Sequence, residues 1–280
     1  MCLLAGGRAV PSSLVPNPVG GAYKKLGRGG EFPTVINSSI HEKCPHLLQL
    51  MKPDIGNGND LQRIVLVRSM FGLLLNKEDR LLDVLSILQE LLCSPTSIEF
   101  QFEIGEAYKF LLEKVNDLAA EVNLQIVRNI LRNINSNDSV TRAAWTELLL
   151  EAIDYLPKGL LLSEILPEAL KKARAGESVL AKITGSKFLG RQATRLDEAD
   201  VRSYIVPVIQ ALCKDTDAAV RASASKQIPV IAKALKLKEC LPLLMPTIID
   251  LSTDESDLVQ EANLEAVVFF LNNVDNGNFL

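Results

Sequence analysis

Histidine is nearly missing from this chain: among 280 residues only His41 and His46 occur. So few imidazoles disfavour a His-based nucleophilic triad and a histidine-rich metal centre. The one metal-like grouping, His41, Cys44 and His46, has no fourth ligand to close a tetrahedral site. No G-x-x-x-x-G-K-[ST] loop is present to cradle a nucleotide phosphate. No catalytic residue and no cofactor is therefore expected. The five cysteines (Cys2, Cys44, Cys93, Cys213 and Cys240) form an odd, scattered set without a C-x-x-C pair, which excludes a disulfide framework. Cys93 and Cys213 fall in apolar helical patterns and read as reduced core thiols, which suits a cytoplasmic protein. An excess of basic charge is also lacking. Thirty Lys and Arg stand against 34 Asp and Glu, a net charge of -4, so the electrostatic footprint of a nucleic-acid binder is absent. No apolar run approaches the ~20 residues of a membrane span. Aromatic content is only 5%, whereas Leu, Ile, Val and Ala are abundant, a composition suited to packed helices rather than strands.

What is present divides into two parts. Residues 1–40 concentrate Gly6, Gly7, Gly20, Gly21, Gly27, Gly29 and Gly30 with Pro11, Pro16, Pro18 and Pro33, and read as a flexible leader. Its opening, MCLLAGGRAV, is broken too soon by Gly6, Gly7 and Arg8 for a secretory signal, and its glycines and prolines oppose an amphipathic targeting helix. From residue 41 to residue 280, apolar residues recur at helical spacing.

That second part repeats. Leu61, Phe100, Val140, Leu180, Val220 and Val259 succeed one another at intervals of 39 or 40 residues, each after a polar turn and at the start of an amphipathic segment. A period of this length built from two helices matches HEAT and armadillo units, and predicts an all-α solenoid of about six repeats. The turns include NSNDS (135–139), AGES (175–178) and DTD (215–217), whose side chains cap the helices that follow. Pro167, Pro207 and Pro246 recur inside the first helix of the last three units, and predict curvature built into the array.

The clearest block is LCKDTDAAVRASASKQIPVIAKAL (212–235). Val220, Ala224, Ile228 and Ile231 make one apolar stripe, Asp217 caps the helix that carries it, and Arg221 points away from the seam toward the neighbouring turn. This block, with PTIIDLSTDESDLVQEANLEAVVFFL (246–271), resembles the HEAT repeats of the scaffold and regulatory subunits of serine/threonine protein phosphatases. GSKFLGRQATRLDEADVRSYIVPVIQAL (185–212) extends the likeness, which covers about 180–271. The resemblance implies a HEAT-repeat α-solenoid that binds a phosphatase catalytic subunit through the turns inside each repeat. It makes Lys214, Asp215, Asp217 and Arg221 candidate contacts in the fifth unit, and Asp254, Asp257 and Gln260 in the sixth. Gln260 departs from the pattern, because an arginine is expected after the core valine, so a continuous Asp/Arg ladder cannot run through that unit unchanged.

Plainer readings stand beside these. Asp217 and Arg221 read as capping and inter-repeat residues, Trp145 as inter-repeat packing, and Lys171, Lys172 and Lys182 as a solvated face or a basic patch. Another HEAT-type adaptor, such as a tubulin-binding or nuclear-transport module, is the alternative to a phosphatase subunit. The acidic fifth and sixth turns count against a tubulin binder, whose partner is itself acidic. At the C-terminal end Leu264, Val267, Val268, Phe269, Phe270 and Leu271 surround much of one helix with apolar residues. That surface implies a piece of a longer solenoid, a partner on the last repeat, or self-association through it.

Overall fold

A computed structural model of the chain describes residues 64, 67, 81–92, 97–114, 119–235 and 237–274. The expected leader, the first unit and the His41, Cys44 and His46 grouping lie outside the described residues. Apart from turns, the described residues are helical throughout. In chain order the helices are α1 (Leu81–Leu92), α2 (Ile98–Lys114), α3 (Ala120–Ile134) and α4 (Ser139–Ala152). Helix α5 runs through Lys158–Leu160, Leu161–Ile165 and Leu166–Lys172, and α6 is Val179–Ala193. Helix α7 runs through Glu198–Asp200, Val201–Ile205 and Val206–Leu212. Then come α8 (Ala218–Ser225), α9 (Ile228–Ala234), α10 (Leu237–Ser252) and α11 (Asp257–Val274).

These helices pair as the 39–40-residue period predicts. Helix α3 packs on α4, α5 on α6, α7 on α8 and α10 on α11, while the second helices form a continuous row from α2 through α4, α6 and α8 to α11. The pairing follows from amphipathicity. In α3, Val122, Ile126, Val127, Ile130 and Ile134 recur at three- and four-residue spacing and are all buried. Trp145 of α4 fills the seam toward α2: its indole N–H donates to Gln101 Oε1 at 3.2 Å, and its ring lies 6.0 Å from that of Tyr108. The packing reading of Trp145 therefore holds. Asn129, trapped between units, is paired: its amide donates to the Tyr108 hydroxyl at 2.9 Å.

Two of the recurrent prolines follow a widened helical turn. In α5 the N–H of Leu166, just before Pro167, bonds the carbonyl of Leu161 five residues back, and in α7 the N–H of Val206, before Pro207, bonds Val201. Each proline lacks an N–H and crowds the carbonyl four residues earlier, so the preceding turn widens into a π turn. Helix α10 holds Pro242 and Pro246 without such a turn.

Two details of the sequence reading are corrected. Val140 and Leu180 are not the counterparts of buried Val220 and Val259, for they are 52% and 55% exposed. The N-caps Asp138, Ser178 and Asp217, with Ser256 one residue before α11, fix the register. It places Thr141 and Ala181 at the inward position, and at Thr141 a small polar residue takes that place. The fifth unit's second helix is also not continuous, since Lys226 and Gln227 separate α8 from α9 ahead of Pro229.

Candidate interaction surface along the helix-pair turns

The third to sixth repeats each turn between their two helices through a short polar segment, and three positions of that segment recur. The first lies two residues before the cap: Ser136, Gly176, Asp215 and Asp254. The second is the cap itself, and its side chain accepts from an N–H of the new helix at Asp138, Ser178 and Asp217. Such caps contribute about 1 kcal/mol each and hold the turn to the helix start. The third position, four residues beyond the cap, holds Arg142, Lys182, Arg221 and Gln260.

The third position of one repeat reaches the first position of the next. Lys182 Nζ donates to Asp215 Oδ2 at 2.7 Å. Arg221 holds Asp254 through both Nε and Nη2 at 2.8 Å, and its Nη1 closes onto the carbonyls of Asp215 and Thr216. All four side chains of these two rungs are about nine-tenths buried. A paired, planar guanidinium–carboxylate contact at this depth fixes the angle between repeats as well as contributing energy. The Arg221 guanidinium holds the Asp254 carboxyl below the usual carboxylate range despite its burial. Burial raises the Asp215 carboxyl, but the Lys182 ammonium and the Asp217 N–H outweigh it and hold that carboxyl low as well.

The sequence-selected residues thus separate into two groups. Asp215, Arg221 and Asp254 are engaged between repeats, and Asp217 caps α8. Gln260 occupies the third position, but its amide donates to the carbonyl of Asp254 in its own turn at 2.7 Å, leaving the ladder without a charged donor there. Lys214, Asp257 and Gln260 are exposed on the turn edge, joined by Glu255, whose side chain is 88% exposed and 3.6 Å from Arg221. Sequence reasoning passed over Lys182 and Arg142 as ladder residues, although the 39–40-residue spacing back from Arg221 marks both. The basic patch is not formed: Lys182 is buried in its rung, and Lys172 and Lys171 both lie against Glu168.

Elsewhere in the second-helix row, ion pairs join neighbours: Lys109 to Glu151, Lys187 to Glu147 and Arg191 to Asp154. Exposed pairs of this kind contribute little each. Close approach of α6 to α5 is instead set by Gly185, where an added Cβ would meet the Ala173 nitrogen at 2.9 Å and the Ala169 carbonyl oxygen at 3.0 Å. Cys213 and Cys240 are buried and not joined in a disulfide, and burial pushes the Cys213 thiol up to about 12. No helix among the described residues is long and apolar enough to cross a membrane.

Stacked antiparallel helix pairs, a 39–40-residue register and charged rungs between their turns define a HEAT-repeat α-solenoid. Residues 198–265, the segment holding the better rung, match the family described as the PPP2R1A-like HEAT repeat. Over 219 residues the chain is 27% identical to the serine/threonine-protein phosphatase 4 regulatory subunit 4 of Mus musculus and 26% identical to that of Homo sapiens. Each match covers 78% of this chain and 25% of the relative, so the chain spans about a quarter of the length of the curated relatives it matches. Among solved structures it is similar to the crystal structure of Cex1p, with a TM-score of 0.46 and 11% identity, covering 85% of this chain and 54% of that one.

Proposed function

We propose that this chain is a non-catalytic regulatory or scaffolding element that binds a serine/threonine phosphatase catalytic subunit, phosphatase 4 being the first candidate, in the cytoplasm. The observation that carries the reading is the turn edge of the fifth and sixth repeats, in the segment matched to the PPP2R1A-like HEAT repeat. The likeness of the chain to phosphatase 4 regulatory subunits supports the choice of partner. On that edge Asp215, Asp217, Arg221 and Asp254 hold the turns in place, and Lys214, Asp257 and Gln260 face outward as contacts. A surface preorganised by buried rungs loses little conformational freedom on binding, which favours recognition by a scaffold. In this role the chain positions its partner and restricts its substrates, and the partner supplies the catalytic groups.

Binding of the purified phosphatase 4 catalytic subunit to the chain, measured by calorimetry, is the direct test. Micromolar or tighter binding is expected, weakened by a K214A/D257A double variant whose melting temperature matches the parent. No binding by the well-folded chain would defeat the proposal.

A further inference from the structure

The ladder has a gap. Arg142 stands at the same position as Lys182 and Arg221, and its Nη1 closes onto the Ser136 carbonyl at 3.0 Å just as Arg221 Nη1 closes onto that of Asp215 at 2.9 Å. In Arg221 the remaining Nε and Nη2 grip the Asp254 carboxylate of the next turn. The next turn from Arg142 carries Gly176 at that place. No carboxylate, Glu177 and Asp138 included, comes within 4.0 Å of the Arg142 guanidinium among the described residues. The space is free: a Cβ built on Gly176 would meet nothing within 4 Å.

A second donor is left over in the Gly176 turn. In the two complete rungs, the aspartate that takes the cation also accepts the cap residue's N–H, from Asp217 to Asp215 Oδ1 and from Ser256 to Asp254 Oδ1, each at 3.0 Å. The counterpart here, the Ser178 N–H, has no acceptor among the described residues. By register, two guanidinium N–H groups of Arg142 and the Ser178 N–H correspond to the donors that hold an aspartate in the two complete rungs.

We propose that the Arg142–Gly176–Ser178 notch receives the carboxylate of an Asp or Glu side chain from a protein partner, which completes the missing rung in trans. A planar carboxylate fits because both complete rungs hold one, and the bidentate geometry of Arg221 shows how it is gripped. Docking here adds a charge-steered contact on the same turn edge, and so rests on the reading that this edge carries a partner.

The test uses the full chain and its R142Q and G176D forms. In G176D the chain supplies its own carboxylate, fills the notch and raises the melting temperature; this gain disappears in R142Q/G176D. Affinity for the phosphatase 4 catalytic subunit should fall about tenfold in both R142Q and G176D, whose folds are confirmed by circular dichroism. Equal affinities for all three forms overturn the proposal while the scaffold reading survives. If no form binds the catalytic subunit, that reading fails, and titration with sodium acetate decides the notch alone. Saturable shifts of the Arg142 guanidinium and Ser178 amide NMR signals, lost in G176D, support it. The absence of shifts, or shifts unchanged in G176D, overturns it.

Discussion

The same three positions of successive second helices meet opposite fates. Ser186, Gly190 and Ala193 of α6 are buried, as are Ser225, Pro229 and Ala232 of α8 and α9, at the faces where the row of second helices stacks. Their counterparts on α11 are Leu264, Val268 and Leu271, which are 59%, 52% and 58% exposed. The more apolar set is the exposed one. Within a stack, small residues let helix axes approach closely, so the chemistry of an inner seam is modest and its fit is tight. On α11 large aliphatic side chains mark a face of stacking type, and their hydrophobicity says nothing by itself about burial. Phe270, read from sequence as part of that outer surface, is in the core at 2% exposure, and Phe269 is half-buried beneath Lys233. The exposed apolar surface of this end is therefore Leu264, Val268 and Leu271 rather than Phe270.

The inner seam is where substitution should do most harm. Ala224 has no exposure, so Ala224→Asp places an unpaired carboxylate between α8 and its neighbours and should cost about 3–5 kcal/mol, read as a large drop in the urea midpoint. Phe270→Glu should be of similar size, which separates it from its outward neighbours. An unchanged midpoint for either would mean that the helical phase is wrong.

Breaking one rung is expected to cost less. Arg221→Ala leaves the Asp254 carboxylate buried without its partner, an expected loss of about 2–3 kcal/mol at pH 7. The sign of the pH dependence follows from the lowered folded-state pKa of Asp254 and Asp215. Their contribution is fully present above the unfolded carboxyl value of about 3.9 and is lost as pH falls through the lower folded values. The parent's stability should therefore decline more steeply than that of Arg221→Ala between about pH 4 and pH 2. Parallel curves would show that Arg221 does not set the Asp254 titration.

Gly185→Ala tests the close approach of α5 and α6. The new methyl meets backbone atoms that cannot rotate away, and an expected cost of about 1–3 kcal/mol would appear in thermal denaturation. Val268→Glu lies at the other extreme. It should change monomer stability by no more than about 0.5 kcal/mol and reduce any concentration-dependent association seen in sedimentation. If it unfolds the last repeat instead, α11 is covered on that face.

Sequence alone determined the repeat length, the helical class, the cap at Asp217 and the phase of the stripe through Val220, Ala224, Ile228 and Ile231. Each of these follows from spacing along one chain, where 3.6 residues per turn and the chemistry of a helix start leave few alternatives. It also marked Arg221 as pointing to the next turn and Gln260 as a break in the ladder. Tertiary structure decided what spacing cannot carry: that Lys182 is a buried rung, that Asp215 and Asp254 are engaged between repeats, and that Arg142 has no carboxylate within 4.0 Å among the described residues. It also decided that Val140 and Leu180 look outward although they are as apolar as Val220. Burial and pairing are relations between residues about 33 to 40 positions apart, fixed only when one repeat is laid on the next.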